Sequence, residues 1–406
     1  MSNSLLTIGK ITNEALVVLE NNLAFTKQVN RDYDDQFAQS GAKIGDTVNL
    51  RKPSRSLGRR TAALNVENFV ETSVPLTLTT QYGDDCSFTS AELALSMDEF
   101  SDRVLKPKIA NISNMIDYDG MQQYKNVYNL VGTAGTTPNA LLTYLGARVK
   151  LQNEGVPADT YAAVINPIAQ ATIVDALKGL FNSQPELAAQ YKEGNMGMAA
   201  GFKWSMDQNV GVQTIGALGG TPLVNGASQS GSTLVTDGWT AAAATRLNVG
   251  DVFTIANVFA VNPQNRQSTG QLRQFVVTAL GVSDGSGNMT ISISPSIVGP
   301  NGTTATQYQN VDSLPADNAA LTIYGSANAV TPQNLVFHRD AFAFASADLD
   351  LPNGVDMARR VSSKQVGMSL RLVRAYDINS DRFPCRFDLL GGWATIRPEF
   401  ACRVAG

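Results

Sequence analysis

The chain has 406 residues, a formal net charge of −4 and an isoelectric point near 5.2. That length exceeds the ~250 to 300 residues one core sustains, so two or three domains are expected. Charged residues make up only 16%, below the ~25% typical of globular domains, and the chain lacks the global basic excess of a tight DNA binder, which argues against sequence-specific DNA binding.

In chain order, Thr12 to Phe25 carries Ala15, Leu16, Leu19 and Leu23 at helical spacing, with Thr12 or Asn13 as the N-cap. Such an amphipathic arm packs on its own core or docks on a neighbour. Gly45–Leu50 alternates in polarity as a strand, and Ser73–Thr79 alternates again. Between them stand Arg51, Lys52, Arg55, Arg59 and Arg60, with Pro53 and Gly58 among them and no acidic residue from Leu50 to Val66. This predicts a long β-hairpin with a basic tip. A hairpin of that kind is unstable alone in water, and its edges invite pairing with another chain. The tip is either a solvated loop or an arm that reaches a neighbouring acidic surface.

Thr89-Ser90-Ala91-Glu92 reads as a capping box, followed by Leu93, Met97, Phe100 and Val104 on one helix face. Pro107 ends that pattern and suits the first turn of a second helix. Leu105, Ile109, Ile112 and Ile116 line the second helix, which is expected to run about six turns to Asn129. A third helix begins at Thr137-Pro138-Asn139 and stops at Gly155, before Pro157. Tyr161–Ile165 is a buried strand, Asn166-Pro167 caps a helix through Leu177, and Phe202–Met206 is another strand. Strand, cap and helix in this order are α/β grammar.

A sparsely charged β-rich block then occupies Gly216 to about Ala329. Its candidate strands are Thr233–Thr236, Val252–Ala256, Gln274–Thr278, Met289–Ser294 and Leu321–Tyr324, separated by turns such as Ser283–Asn288. Short strands with this punctuation predict a small sandwich or barrel. After Pro332 the host resumes with strands at Asn334–His338, Met368–Tyr376 and Trp393–Arg397. Gly391-Gly392 is expected to bend the chain sharply. No period recurs, so a repeat protein is excluded.

No catalytic, cofactor or metal residues are assigned. A Ser-His-Asp or Cys-His arrangement would have to use His338, the single histidine, which has no partner cue and is read as structural. Zinc needs several Cys and His ligands at set spacing. Cys86, Cys385 and Cys402 form no CxxC pair and are read as reduced thiols of a cytosol-made protein. Gly216–Gly220 lacks the context of a phosphate loop and is read as a linker. Asp84-Asp85 and Asp348-Leu349-Asp350 lack a calcium-binding loop. The N-terminus lacks a secretory pattern, and no apolar run approaches the ~18 residues of a membrane span, which argues against a membrane protein or a secreted adhesin.

The element order resembles the major capsid protein of tailed bacteriophages with the Hong Kong 97-type fold, in the short-tailed branch that carries an insertion domain. The residues behind this are the hairpin Gly45–Thr79, the run Asp84–Phe88 leading into helices over Leu93–Asn129, Gly250–Phe253 in the insert, and the final Thr395–Glu399. The resemblance implies an α+β fold. It also implies an N-terminal arm over 1–41, an E-loop hairpin over 42–80, and a peripheral domain with a spine helix over 81–130. An axial domain with returning peripheral strands would occupy 131–215 and 329–406, and an inserted β-barrel or sandwich domain 216–328.

As function it implies pentamers and hexamers closing into an icosahedral shell. The implied partners are other copies of the chain, a scaffolding protein, a portal protein, and double-stranded DNA enclosed without sequence-specific contacts. The implied location is the virion capsid, after synthesis in the bacterial cytoplasm. Candidate inter-subunit contacts are Arg51, Lys52, Arg55, Arg59 and Arg60 on the hairpin, Asp84 and Asp85 as acidic partners, and Leu16 and Leu19 on the arm. The rival readings are an encapsulin-like nanocompartment shell, a β-rich non-viral binding protein and an enzyme with an appended β domain. The enzyme would need paired carboxylates in a cleft or a usable histidine.

Overall fold

The computed structural model describes residues 14–19, 22–32, 47–59, 61–64, 66, 71–89, 105–177, 196–300, 306–363 and 368–406. The helix expected after the capping box lies outside them, as does Arg60. The fold is mixed α+β. The chain packs as two units. The first comprises Met1–Leu50, Val74–Met121 and Phe342–Ile396, and the second Arg51–Ser73, Gln122–Ala341 and Arg397–Gly406.

The first unit is organised by one long strand, Arg382–Thr395. Along one edge it pairs with Thr80–Thr89, from Arg382 opposite Thr89 to Gly391 opposite Thr80. Along the other edge it pairs first with Met368–Arg374 and then with Phe342–Ala347, and Met357–Ser363 completes a five-stranded sheet. The bend expected at Gly391-Gly392 is absent, because both glycines lie inside this strand. They permit close approach instead of a turn. A Cβ on Gly391 would meet the Phe344 ring at 2.8 Å, and one on Gly392 the Thr77 carbonyl at 2.1 Å.

The helix Lys106–Met121 buries Ile109, Ile112 and Ile116 completely, as their spacing predicts. It is shorter than expected, since the chain tightens to a 3-10 helix at Gln122–Asn126, a common way for a helix to end. Ahead of it, a helix at residues 14–19 and a 3-10 turn at Thr26–Gln28 pack on the same unit. The strands Thr47–Lys52 and Thr72–Thr77 pair with each other, and their first-unit residues join this unit's core. There Leu50, Leu76 and Leu78 pack with Ala343, Ala345, Ala394 and Ile396.

The second unit holds two large sheets and a two-stranded one that pairs Ala244–Leu247 with Gly281–Ser283. The seven-stranded sheet runs Leu130–Gly132, Ala401–Ala405, Val330–Phe337, Tyr161–Ile165, Phe202–Met206 and Met198–Ala199, with Val212–Thr214 also on Val330–Phe337. Tyr161–Ile165 is buried at every residue. The cap read at Asn166 forms, since its Oδ1 accepts the Ala169 N–H at 2.7 Å and opens the helix Pro167–Leu177.

The other sheet lies wholly within Gly220–Ile323. Its order is Leu321–Ile323, Val252–Val261, Ser268–Val277, Met289–Ile297, Gly231–Trp239 and Gly220–Val224. Its end strands meet, because Leu223 bridges Ala320 and the Val224 N–H donates to the Ala319 carbonyl at 2.9 Å. Closure removes the exposed edges that an open sheet presents. Trp239, Phe253, Ile255, Phe275, Ile291 and Ile293 fill the interior. Three short strands not expected from the sequence, Gly220–Val224, Ala244–Leu247 and Gly281–Ser283, complete the block. A smaller core joins this sheet to the other, with Val252 and Val276 packed against Tyr128, Leu130 and Ala405.

Candidate assembly surfaces

Most described residues of the hairpin tip are exposed. Its described residues from Pro53 to Glu71 form no regular strand. Leu64 and Val66 are 79% and 80% exposed, and Leu57 is 46% exposed. The cations divide into two kinds. Arg51 reaches Glu71 only at 3.9 Å with most of its side chain in water, an arrangement worth ~0 to 1 kcal/mol. Arg59 folds back to donate to the carbonyls of Thr61 and Ala62, and so shapes the loop. Arg55 is less exposed, sits 3.6 Å from Glu399, and lies near the Tyr308 ring. Burial pulls the Lys52 ammonium below its ordinary range and Glu399 pushes back, while Arg397 and Arg55 lower it further. The sequence named these cations but not Glu399, which lies far off in the chain and carries no local cue.

The Asp84 carboxylate is engaged within its own unit, and Asp85 through its backbone carbonyl. Lys108 donates to Asp84 Oδ1 at 2.5 Å and to the Asp85 carbonyl at 2.7 Å, and Asn111 donates to the other Asp84 oxygen at 3.0 Å. Desolvation pushes the Asp84 carboxyl up. The hydrogen bonds from Lys108 and Asn111 and the Lys108 charge together outweigh it and hold the carboxyl below its usual range. Leu16 and Leu19 are buried at home, at 6% and 0% exposure. The structure thus gives the arm's apolar face an intrachain place.

Several pinning groups carried no sequence signal. The buried Asp117 carboxylate accepts the backbone N–H groups of Ala24 at 2.7 Å and Thr26 at 2.9 Å, tying the N-terminal segment to the helix Lys106–Met121. Asp388, fully buried, receives Arg371 through Nη2 at 2.6 Å and Arg386 at 2.8 Å. In the second unit, Arg403 is fully buried and donates to the Gly250 carbonyl at 2.8 Å. Desolvation pulls its guanidinium down to about 10, with Tyr124 and Asp251 opposing. His338 packs edge-on against Phe400 and Tyr161, and its Nδ1 accepts the Asp340 N–H at 3.3 Å. Among the described residues no cluster of three or more His, Cys, Asp or Glu could hold a metal ion, and no helix is long and apolar enough to cross a membrane.

Comparison with protein families matches residues 2–405 to the P22 coat protein, gene protein 5, model. The chain belongs to the P22 coat protein family, and it is a major capsid protein of a tailed bacteriophage. No curated protein matches the sequence.

Among solved structures, the chain is similar to Mycobacterium phage Che8, with 10% identity over 94% of this chain and 90% of that one and a TM-score of 0.46. It is also similar to the capsid of Ralstonia phage GP4, with 8% identity over 91% and 85% and a TM-score of 0.46. The CUS-3 coat protein I-domain shares 31% identity over 26% of this chain and 95% of that one, with a TM-score of 0.20. The family match alone carries the assignment. As a capsid protein the chain self-assembles into a shell and resides in the virion capsid.

Proposed function

We propose that the chain forms pentamers and hexamers that close into an icosahedral shell around double-stranded DNA. In this reading the shell is assembled in the host cytoplasm on a scaffolding protein and filled through a portal, and the chain performs no catalysis. Residues 1–41 act as an N-terminal arm, 42–80 as an E-loop, 81–130 as a peripheral domain with its spine helix, 131–215 with 329–406 as an axial domain and its returning strands, and 216–328 as the insert. The net charge of −4 supports passive containment, since a strongly basic wall would hold DNA by counterion release.

One observation carries the assembly reading. Among the described residues of the hairpin tip, Leu57, Leu64 and Val66 are exposed and Arg51 is mostly in water. Exposed apolar side chains gathered on one loop favour burial against a partner, and in a shell the partner is another copy. Heterologous contacts of this kind close into rings. Arg51, Lys52, Arg55, Arg59 and Arg60 would border that contact. Asp85 is the better acidic partner, because Asp84 already holds Lys108.

The test is the paired replacement Leu64→Asp and Val66→Asp, followed by sedimentation and circular dichroism. The reading expects an unchanged spectrum, loss of closed shells and accumulation of free subunits. Normal shells from this variant would remove the hairpin tip from the assembly contacts.

A further inference from the structure

We propose that Cys86 and Cys385 form an oxidative modification site, in which a peroxide closes an intrachain disulfide joining the strand Thr80–Thr89 to the strand Arg382–Thr395. The two residues face each other directly in the antiparallel register, Cys385 opposite Cys86. Both are free thiols. Directly opposed residues on neighbouring strands hold their Cβ atoms ~4.5 to 5.5 Å apart. A disulfide needs about 3.5 to 4.5 Å, so a small closure of the pair suffices. The third cysteine, Cys402, is buried in Ala401–Ala405 opposite Val336 and has no facing thiol.

The surroundings divide the labour between the two sulfurs. Cys86 is half-buried, while Cys385 is only 5% exposed. The Cys385 thiol facing it favours the Cys86 thiolate. Burial opposes it, and the Lys108 ammonium, held at the Asp85 carbonyl, adds to it; the outcome is a Cys86 thiol below its ordinary range. Its partnership with Cys86 and its burial push the Cys385 thiol far up. Thiolate character and access select the sulfur that peroxide attacks, and here that sulfur is Cys86.

The Cys86 thiolate takes one oxygen from hydrogen peroxide, and with a proton from solvent this gives a sulfenic acid and water. The Cys385 sulfur then attacks the Cys86 sulfur. The S–O bond breaks, and the hydroxide leaves as a second water with the Cys385 proton. Two thiols lose two electrons in all, and one peroxide is reduced to two waters. The product staples the strand around which the whole first sheet is built.

Assembled protein would be treated with dilute hydrogen peroxide, quenched, alkylated in denaturant without reductant, digested and read by peptide mass spectrometry. The expected result is a linked peptide pair joining Cys86 to Cys385, cleaved by dithiothreitol, while Cys402 is recovered alkylated. Cys385→Ser, a nearly isosteric change, should leave Cys86 as a sulfenic acid that dimedone traps. Cys86→Ser should leave Cys385 alkylatable. Recovery of all three cysteines as free thiols after peroxide would overturn the proposal. So would a Cys86 to Cys86 link between copies, or a Cys86 sulfinic acid without any link in the wild-type chain.

Discussion

The side-chain amide of Gln274 pairs with both backbone polar groups of Leu130. Its Oε1 accepts the Leu130 N–H at 2.8 Å and its Nε2 donates to the Leu130 carbonyl at 2.9 Å. Gln274 lies on Ser268–Val277 of the closed β block, and Leu130 begins Leu130–Gly132 of the other sheet in the same unit. The amide thus stands in for a neighbouring strand, and Lys150 adds a hydrogen bond to the same Oε1 at 2.5 Å. The β block is therefore joined to its unit by specific hydrogen bonds as well as by the apolar contacts of Val252 and Val276.

Gln274→Leu removes both bonds and leaves two buried backbone groups unpaired, which costs roughly 2 to 6 kcal/mol at ~1 to 3 kcal/mol for each orphaned group. Gln274→Glu keeps the acceptor, strengthens the bond to Lys150 by adding charge, and loses only the donor, so its cost is smaller. Urea unfolding of the unassembled subunit would rank wild type above Glu above Leu.

Gly120→Ala is expected to destabilise even though alanine is the better helix former. A Cβ at Gly120 would lie 2.5 Å from the Trp393 ring and 2.8 Å from Phe25. The helix gain of ~1 kcal/mol is outweighed by overpacking of ~1 to 3 kcal/mol against rigid rings. Thermal unfolding should show a lower midpoint, and the Trp393 emission should change because its ring stacks 5.5 Å from Phe25.

Asp117→Ala strips the acceptor from Ala24, Phe25 and Thr26 and releases the N-terminal segment from its helix. A loss of about 2 to 4 kcal/mol follows from the orphaned buried N–H groups. Limited proteolysis should cut the variant near residues 24–32 well before wild type.

Asp84 sets part of the acid sensitivity of the first unit. Its folded carboxyl titrates below the ordinary value, so the folded chain binds fewer protons there than the unfolded chain. The stabilisation it gives is present above the unfolded carboxylate pKa and is lost as pH falls through the depressed folded one. Asp84→Asn should flatten that part of the acid limb, and Lys108→Met should do the same. Denaturation midpoints measured between neutral and acidic pH would reveal both.

The sequence made the regular parts of this fold legible where local signals agreed with tertiary packing. The apolar run Tyr161–Ile165, the Asn166-Pro167 cap, the Ile109, Ile112 and Ile116 stripe and the main strands of the β block all carry their own pattern. The strand Thr80–Thr89 carries none. Its residues include Gly83, Asp84 and Asp85, types depleted in strands, and it is a strand because Arg382–Thr395 supplies a continuous partner. Gly391-Gly392 misled for the same reason, since glycine marks a turn or a close approach and only the position of Phe344 decides which. The basic tip was readable as a cluster of arginines. The pairings of Arg55 with Glu399 and Lys108 with Asp84 were not, because each is a contact the fold creates between distant segments.

The most direct test of the central claim is electron microscopy of the purified full-length chain, with sedimentation across concentration and salt. The account predicts closed shells or ring-shaped capsomers, with the proportion of shells rising with concentration. A monodisperse monomer under every condition, including co-expression with the scaffolding protein of its own phage, would contradict it.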